Sequence, residues 1–179
     1  MASSPKISIC IPMYNAARFI KDCIDSVLSQ SFKDFELLVV DDGSTDDSCD
    51  IVNSIKDNRI RLIQNKHDYV GSLNMLLDEA KGKYIARMDA DDVMYPNRLA
   101  IQYEYMENHP NVDVVGGRMV AFKRFIKEPL YDLNVKSGSL CISDMLDNCC
   151  ICHPTGPTSP TAALSGSPTP TVTTMCIGF

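Results

Sequence analysis

The sequence predicts an α/β domain built on a mostly parallel, doubly wound sheet. Apolar, β-rich segments alternate with segments whose apolar residues repeat at helical spacing, which is the rhythm of successive β-α-β units. The strand segments, such as residues 7–11, are almost continuously apolar, which is typical of strands buried on both faces of a parallel sheet. A chain of 179 residues, 45% of them hydrophobic, is long enough for one such domain with a sizeable core.

Five strands and four helices follow from this pattern. The strands are predicted over residues 7–11, 35–40, 60–63, 84–88 and 112–115. The helices are predicted after residue 15, after residue 46, over residues 70–80 and over residues 96–108. The apolar stripes that would face the sheet are Phe19, Ile20, Cys23, Ile24, Val27 and Leu28 in the first helix, Cys49, Val52 and Ile55 in the second, and Val70, Leu73, Leu77 and Ala80 in the third.

The helix ends are predicted from residues that commonly occupy such positions. Asn15 is suited to cap the first helix, and Ser44 or Thr45 the second. Gly82 is expected to close the third helix, and Pro96 to lie in the first turn of the fourth.

Composition divides the chain into three parts. Residues 1–122 form the predicted domain, and residues 123–153 are interpreted as a partial remainder of it. After Asp147 the chain has no Asp, Glu, Lys or Arg, and residues 154–179 are dominated by Pro, Thr, Ser and Gly. Such a segment buries too little apolar surface to offset its ordering entropy, so we expect it to be disordered.

Charge and segment lengths exclude several classes of protein. The net charge of -6 argues against a nucleic-acid-binding surface. The N-terminus lacks a signal-peptide pattern, and no apolar run approaches the roughly 18 to 20 residues that span a bilayer. We therefore expect a cytoplasmic protein with reduced thiols, peripheral contact with the inner face of the membrane being left open. Cys10, Cys23 and Cys49 are interpreted as small core hydrophobes.

The remaining cysteines and histidines carry weaker signals. Cys149, Cys150, Cys152 and His153 could supply zinc ligands, but their spacing is not that of paired C-x₂-C motifs, and unrelated cysteines are the favoured interpretation. His67 and His109 are expected to be a loop residue and a helix-end residue without partners.

Polar clusters stand immediately after three of the predicted strands. Tyr14 and Asn15 follow the first, Asp41 and Asp42 the second, and residues 89–92 the fourth. Ligands of open α/β sheets bind outside the carboxyl ends of the strands. If the strands are parallel, the three clusters converge on one edge and form a site.

Asp89, Ala90, Asp91 and Asp92, hereafter the acidic tetrad, are the strongest of these clusters. Their three carboxylates repel one another unless a cation or hydrogen-bond donors offset the charge. Mg²⁺ and Mn²⁺ prefer oxygen ligands, and the small side chain of Ala90 leaves room for a ligand to approach the backbone. A solvated acidic turn that caps the next helix is an equally good interpretation of the tetrad alone.

The turn that begins at Asp41 and Asp42 also has two interpretations. Asp, Gly and Ser are ordinary turn residues, so residues 41–46 could have a purely structural role. A carboxylate there could instead accept the ring N–H of a base such as uracil. Similarly, Tyr14 could be a half-buried aromatic residue and Asn15 merely a helix cap.

These motifs together resemble the opening of family 2 glycosyltransferases. The matching blocks, in order, are residues 9–15 (ICIPMYN), 26–32 (SVLSQSF), 36–46 (ELLVVDDGSTD), 80–92 (AKGKYIARMDADD) and 96–99 (PNRL). The resemblance covers roughly residues 6–122, and five ordered blocks make it specific although each motif alone is weak.

The resemblance implies a GT-A fold, a nucleoside-diphosphate-sugar donor (UDP-sugar first) and an inverting mechanism with Mn²⁺ or Mg²⁺. It implies that the base and ribose pocket is lined by Pro12, Tyr14 and Asn15. It further implies that Asp42 binds the base, that Asn74 lies near the ribose and diphosphate, that Asp89 faces the ribose or sugar, and that Asp91 holds the metal with support from Asp92. Leu73 stands where the family often has Arg or Ala, which leaves a diphosphate contact from that side in doubt.

The implied chemistry is consistent with these residues, except for the general base. A metal ion stabilises the charge that develops on the departing diphosphate, and an inverting enzyme needs a base to deprotonate the acceptor hydroxyl of a glycan or lipid-linked acceptor. The family often supplies that base from a later Glu-Asp pair, but no such pair follows Asp92, and Glu128 is the last glutamate. The catalytic base is thus unidentified, and we hypothesise a broken reading frame or truncation near residue 155.

Three functions remain open from sequence. The leading one is a glycosyltransferase of cell-surface polysaccharide synthesis. The second is an inactive nucleotide-sugar-binding remnant without an acceptor site, and the third is an unrelated doubly wound binding domain with acidic turns.

Overall fold

The computed structural model describes residues 4–116 and the backbone of residues 119–121, 131–133 and 174–175. The strands are β1 Ile7–Met13, β2 Phe35–Asp41, β3 Ile60–Gln64, β4 Tyr84–Arg87, β5 Met119–Ala121, β6 Tyr131–Leu133 and β7 Thr174–Met175. The helices are α1 Ile20–Leu28, α2 Ser48–Ser54, α3 Tyr69–Glu79 and α4 Arg98–Asn108.

The main sheet has the strand order β3-β2-β1-β4-β7, and every neighbouring pair in it is parallel. The chain moves outward from β1 through β2 to β3 and then crosses to the other side of β1 to form β4. The short strands β5 and β6 form a separate antiparallel pair. The predicted α/β class with a parallel, doubly wound sheet is confirmed.

Helices cover both faces of the sheet because the strand side chains alternate between two apolar cores. The larger core joins Ile7, Ile9 and Ile11 of β1 to residues of α1, α2 and α4. The smaller core joins Cys10 of β1 and strand residues of β2 and β4 to Leu76 of α3. The near-continuous apolar character of the strands therefore reflects burial on both sides.

Pro12 occupies a central strand, a position from which proline is usually absent because it has no N–H to donate. Its neighbour β4 pairs with β1 only from Ile7 to Cys10, so Pro12 lies beyond the end of that ladder. The last bond toward β4 runs from the N–H of Met88 to the carbonyl of Cys10, at 3.1 Å. Past this point β1 and β4 are no longer paired, at the switch point of the strand order where ligands of open α/β sheets bind.

The predicted fifth strand over residues 112–115 is wrong. Val115 forms a single isolated bridge, and residues 112–114 have no strand structure. Val112 and Val115 pack against the larger core, whereas Val114 is exposed. The apolar side chains of Val112 and Val115 are thus explained by packing of this segment against the core, and not by pairing in a sheet.

Two of the predicted helix caps are also wrong, because the loops that contain them bind each other. α1 begins at Ile20, five residues after Asn15, and Asn15 has a left-handed backbone with φ of 48°. α2 begins at Ser48 with Asp47 as its N-cap, so neither Ser44 nor Thr45 caps it.

The ends of α3 and α4 differ from the predictions at single residues. α3 ends at Glu79 with Ala80 in an extended conformation, so Gly82 does not close the helix. Gly82 instead lies against β1, where an added Cβ would be 2.7 Å from the carbonyl carbon of Ile7. Pro96 precedes α4, and Val70, predicted to face the core, is 64% exposed.

The core assignments of Cys10, Cys23 and Cys49 are confirmed. Cys10 and Cys23 are buried, and Cys49 packs against the larger core. Burial raises the pKa of the Cys10 thiol to about 12, and burial also raises the pKa of the Cys23 thiol.

Several predictions lie outside the described residues. They include the zinc ligands Cys149, Cys150, Cys152 and His153 and the break near residue 155. The two described residues of the proline-rich tail pair with β4 as strand β7, and the rest of its predicted disorder stays a prediction. Within the part of the chain that the structure describes, no helix has both the length and the apolar character needed to cross a bilayer.

Candidate functional site

The structure brings the loops after β1, β2 and β4 to one rim of the sheet, since the three strands are parallel and adjacent. The N–H of Asp42 donates to the carbonyl of Met13 at 2.7 Å, which ties the second loop to the end of β1. The acidic tetrad begins on the opposite side of β1, where β4 ends. The strands β2 and β4 are two positions apart, or roughly 10 Å.

Asn15 fastens the first loop to the second instead of capping a helix. Its N–H donates to Ser44 Oγ at 2.9 Å, and its Oδ1 accepts the N–H of Thr45 at 2.8 Å. Asn is one of the few residues other than Gly that adopts a left-handed backbone readily. The bonds therefore fix the path of the chain directly after Tyr14.

Asp42 is a buried carboxylate, 2% exposed, whose two oxygens have different surroundings. Oδ1 accepts two hydrogen bonds at the start of α3, from the N–H of Asp68 at 2.8 Å and from Ser72 Oγ at 2.7 Å. Oδ2 lies 3.2 Å from Nδ1 of His67. One oxygen is thus held by the start of α3, and the other faces the His67 ring.

His67 contacts both Tyr14 and Asp42, contrary to the expectation that it has no partner. Its ring packs against Tyr14 with ring centroids 4.4 Å apart and planes tilted by 33°, and its Nδ1 is also 3.0 Å from the carbonyl oxygen of Asp42. Gly43, with φ of +82°, allows the loop to approach, because a Cβ there would be 3.3 Å from the backbone nitrogen of His67.

His109 also has a partner that its sequence position did not indicate. Its ring is stacked on Tyr105 at 4.1 Å, and its Nδ1 lies 2.8 Å from the carbonyl oxygen of the same residue. Tyr105 is one turn earlier in α4, so this contact is local to the end of that helix.

The acidic tetrad forms a tight turn at the end of β4. The N–H of Asp92 donates to the carbonyl of Asp89 at 3.2 Å, Ala90 is buried, and Asp91 is exposed. Asp89 Oδ1 lies 3.2 Å from Nη2 of Arg87. Of the three carboxylates, Asp91 is therefore the one most open to an ion from solvent.

The carboxylates of the tetrad are close enough to oppose one another's ionisation. Burial raises the pKa of Asp92 to about 6, and the charges of Asp89 and Asp91 add to this effect, while Arg98 partly offsets it. The part of this rise in pKa that comes from Asp89 and Asp91 reflects a local excess of negative charge. A cation bound there would relieve that excess.

Residues of α1 and its C-terminal end hold the segment that follows the tetrad. Gln30 is fully buried, its Nε2 donates to the carbonyl of Tyr95 at 2.6 Å, and its Oε1 accepts the N–H of Leu99 at 3.1 Å. Ser26 Oγ accepts the N–H of Met94 at 2.9 Å. These buried side chains thus hold the backbone of residues 94–99, which follow the tetrad.

Arg87 connects the tetrad to the start of α3. Its Nη2 donates to the hydroxyl of Tyr69 at 2.7 Å as well as contacting Asp89. Since the same first turn of α3 binds Asp42 through Asp68 and Ser72, one helix end supports both carboxylate positions.

These supporting residues and His67 carry little signal in the sequence. His67 stands three residues before the predicted third helix and looks like an ordinary loop residue, and Arg87 and Gln30 resemble ordinary members of a strand and a helix end. Their roles come from contacts between residues 18 to 69 apart in the chain, except for the contact of Arg87 with its near neighbour Asp89.

Asn74 does not join the residues around Asp42. It is exposed, and it lies two positions after Ser72, the residue of α3 that contacts Asp42. Residues two apart on a helix point in widely different directions. A role of Asn74 at the ribose or diphosphate therefore stays a prediction, as does the doubt raised by Leu73.

Among residues 4–116, no group of three or more His, Cys, Asp or Glu side chains converges as a ready-made metal site. The donor set is nevertheless of the right chemistry, since Asp91 and Asp92 offer hard oxygen ligands. Mg²⁺ usually takes only one or two carboxylates together with substrate phosphates. The residues fit an ion that binds jointly with a diphosphate.

Sequence comparison identifies the class of protein to which this site belongs. The profile of glycosyl transferase family 2 matches residues 8–157, most of the chain. EpsE of Bacillus subtilis, which carries a glycosyltransferase name, is 42% identical over 130 residues, covering 70% of this chain and 47% of EpsE.

A second relative has a more specific name. WfaP of Escherichia coli is named a UDP-Glc:alpha-D-GlcNAc-diphosphoundecaprenol beta-1,3-glucosyltransferase; it is 42% identical over 103 residues, covering 56% of this chain and 41% of WfaP. The chain thus spans less than half the length of these two relatives.

Solved structures share the fold. S. aureus TarS 1-349 in complex with UDP-GlcNAc has a TM-score of 0.60 and 26% identity, over 69% of this chain and 37% of that one. The mannosyltransferase PcManGT of Pyrobaculum calidifontis, in complex with GDP-Man and Mn²⁺, has a TM-score of 0.55 and 25% identity, over 68% and 36%.

Proposed function

This chain belongs to glycosyltransferase family 2, and we propose that it binds a nucleoside-diphosphate sugar with Mn²⁺ or Mg²⁺ and transfers the sugar to an acceptor hydroxyl with inversion. Family membership excludes an unrelated doubly wound domain. The observation that carries the proposal is the pairing, across β1, of an aromatic and carboxylate pocket with a crowded acidic turn. A nucleotide sugar needs both, one for its base and one for its diphosphate.

The pocket at Tyr14 and Asp42 suits a base that has a ring N–H. Tyr14 is 49% exposed and offers an aromatic face, while Asp42 presents Oδ2 beside it. A buried carboxylate held by two donors on Oδ1 is an oriented acceptor for one more donor. Uracil supplies that donor, so we propose UDP-sugar as the donor, with Pro12 and Asn15 shaping the pocket.

The acidic tetrad suits the diphosphate and the sugar. We propose that Asp91 holds the divalent ion, that Asp92 supports it, and that Asp89 and Ala90 lie along the ribose or sugar. A bound divalent ion would stabilise the charge that develops on the departing diphosphate. Arg87 Nη2 lies 3.2 Å from Asp89 Oδ1, a contact that would restrain the orientation of this carboxylate.

The relatives support the same chemistry without defining it for this chain. TarS has been solved with UDP-GlcNAc, PcManGT with GDP-Man and Mn²⁺, and WfaP is named for a lipid-linked acceptor. We propose a glycan or lipid-linked acceptor, a role in cell-surface polysaccharide synthesis, and a cytoplasmic location with contact at the inner membrane face.

A second function is a domain that binds the nucleotide sugar without transferring it. No Glu-Asp pair occurs between Asp92 and Phe179, so the residue that would act as general base is unassigned. Release of UDP from UDP-sugar, with and without candidate acceptors, distinguishes the two functions. Binding without transfer or hydrolysis is the result expected of the second.

Calorimetric titration with UDP, with and without Mn²⁺, tests the proposal most directly. We expect metal-dependent binding that Asp91→Ala weakens severely. Asp78→Ala, which removes an exposed carboxylate of α3, is the matched control and should leave binding unchanged. Equal UDP affinity with and without metal would overturn the role of Asp91, and no UDP binding under either condition would overturn the base pocket.

A further inference from the structure

We propose that His67 is an internal ligand of the base pocket, which the nucleobase must displace to bind. The inference rests on the proposed function, since it takes the pocket at Tyr14 and Asp42 to be the base site. It adds a residue that no motif marks, and it concerns which bases the pocket accepts.

The His67 ring reproduces both interactions expected of a base. It is a planar heterocycle packed against the Tyr14 ring at a centroid distance of 4.4 Å, with the two ring planes tilted by 33°. Its Nδ1 faces two acceptors of Asp42, the carbonyl oxygen at 3.0 Å and Oδ2 at 3.2 Å. Because both are acceptors, Nδ1 must carry the hydrogen for either contact to be a hydrogen bond.

A base and the His67 ring cannot share this face of Tyr14. A ring inserted between two others holds them about 7 Å apart, well beyond the observed 4.4 Å. The Oδ2 atom of Asp42 is likewise within hydrogen-bonding reach of the imidazole. Binding at this site therefore requires the imidazole to leave.

The surroundings allow the ring to leave without disturbing Asp42. The His67 side chain is 67% exposed and lies in the loop between β3 and α3. Asp42 Oδ1 keeps its bonds from Asp68 and Ser72 whatever the position of the ring. The carboxylate thus stays oriented while the imidazole swings into solvent.

This exchange selects bases by their ring donor. Uracil and guanine have a ring N–H that can replace Nδ1–H on Asp42, whereas cytosine and adenine present a lone pair at the corresponding edge. A base without the ring donor would give up the His67 contact and could offer Asp42 only its exocyclic amino group, which lies to one side of the ring nitrogen. The expected ligands are nucleoside diphosphates whose base has a ring N–H.

The affinity of His67→Ala for UDP in the presence of Mn²⁺ tests the inference. Removal of the internal ligand should tighten binding by roughly threefold to tenfold, the range expected if the ring occupies the pocket two-thirds to nine-tenths of the time. His109→Ala removes a ring stacked on a tyrosine elsewhere and should leave the affinity unchanged. Weaker or unchanged binding by His67→Ala would overturn the inference.

Ring-proton NMR of the three histidines provides a second measurement on the wild-type chain. The His67 signals, assigned by their loss in His67→Ala, should move toward solvent-exposed positions on addition of UDP and Mn²⁺. The His109 signals should not move. A His67 ring that stays shielded by Tyr14 in the UDP complex contradicts displacement.

The two proposals fail in different ways. If wild-type chain and His67→Ala both fail to bind UDP, the proposed base site is wrong and the inference falls with it. If UDP binds and Tyr14→Ala weakens it, but His67→Ala does not tighten it, the base site stands and only the internal ligand is refuted. CDP should bind the wild-type chain more weakly than UDP; equal binding would refute the selection by ring donor.

Discussion

Replacement of Asp92 by Asn is expected to stabilise the metal-free chain at neutral pH. Burial, together with the charges of Asp89 and Asp91, raises the pKa of Asp92 from its ordinary value of 3.8 to about 6. A carboxylate that is harder to ionise in the folded state than in the unfolded state destabilises the fold whenever it is charged. Asn has a similar shape and removes the charge.

The size of the effect follows from the pKa difference. A rise of about two units corresponds to about 3 kcal/mol at a pH well above 6. Asp92 is only partly buried, so solvent screening reduces this to about 1 to 3 kcal/mol. Because the folded-state pKa is the higher one, the stability from this group is fully present below pH 3.8 and is lost as the pH rises through 6.

Urea denaturation in EDTA at pH 4, 5, 6 and 7.5 measures this difference directly. The free energy of unfolding of Asp92→Asn minus that of the wild-type chain should be near zero at pH 4 and reach its full positive value by pH 7.5. Taking the difference cancels other titrating groups, such as Asp57, whose pKa is lowered to about 2 by its hydrogen bonds with Arg59. Asp78→Asn, exposed on α3, is the matched control.

The same variant should respond less to ligand. Mn²⁺ and UDP should stabilise the wild-type chain more than Asp92→Asn, because a ligand stabilises only through its affinity for the folded state. A stability difference that is negative at pH 7.5, or that does not change with pH, would refute the reasoning about carboxylate repulsion in the tetrad.

Three further predictions concern the scaffold. Gly82→Ala should lower the free energy of unfolding by about 2 to 4 kcal/mol, because the new Cβ would lie 2.7 Å from the backbone of Ile7. Urea denaturation measures this change, and a change below about 0.5 kcal/mol would contradict the close packing. Gln30→Ala should lower the free energy of unfolding by about 1 to 3 kcal/mol, because the buried N–H of Leu99 and the carbonyl of Tyr95 would lose their partner. It should also weaken Mn²⁺-dependent UDP binding in calorimetry. Cys10, with its pKa raised to about 12 by burial, should resist iodoacetamide at pH 8 in the folded chain and react in urea, as mass spectrometry can show; rapid labelling without urea would mean that the thiol is accessible.

Periodicity located the elements well where the pattern had several apolar residues. Strands β1 to β4 and helix α3 start within one residue of their predicted positions. The pattern failed at residues 112–115, where four residues were too few to separate a strand from chain packed on the core. It also failed at Val70. This residue fits the helical spacing of the apolar residues, but it lies in the first turn of α3 and is 64% exposed.

Capping chemistry was less predictable than periodicity, because polar residues have several possible partners. Asn15 and Ser44 are both good cap residues, yet they bind each other across two loops. Glycine often ends a helix, but Gly82 instead allows its backbone to lie close to β1. A capping rule considers only hydrogen bonds between a side chain and the helix beside it. In the folded protein the same side chain can bind residues that are distant in sequence, which the rule does not consider.

The α/β class, the strand ends at which Asp42 and the acidic tetrad lie, and the family resemblance could all be predicted from sequence, because strand burial and turn chemistry depend on neighbouring residues. Three features emerged from the folded structure alone: the binding of one Asp42 oxygen by α3, the link of Arg87 from the tetrad to the same helix, and the packing of His67 against Tyr14. These contacts join residues that are distant along the chain. Their geometry depends on how the strands are ordered in the sheet, a property that no local window of sequence contains.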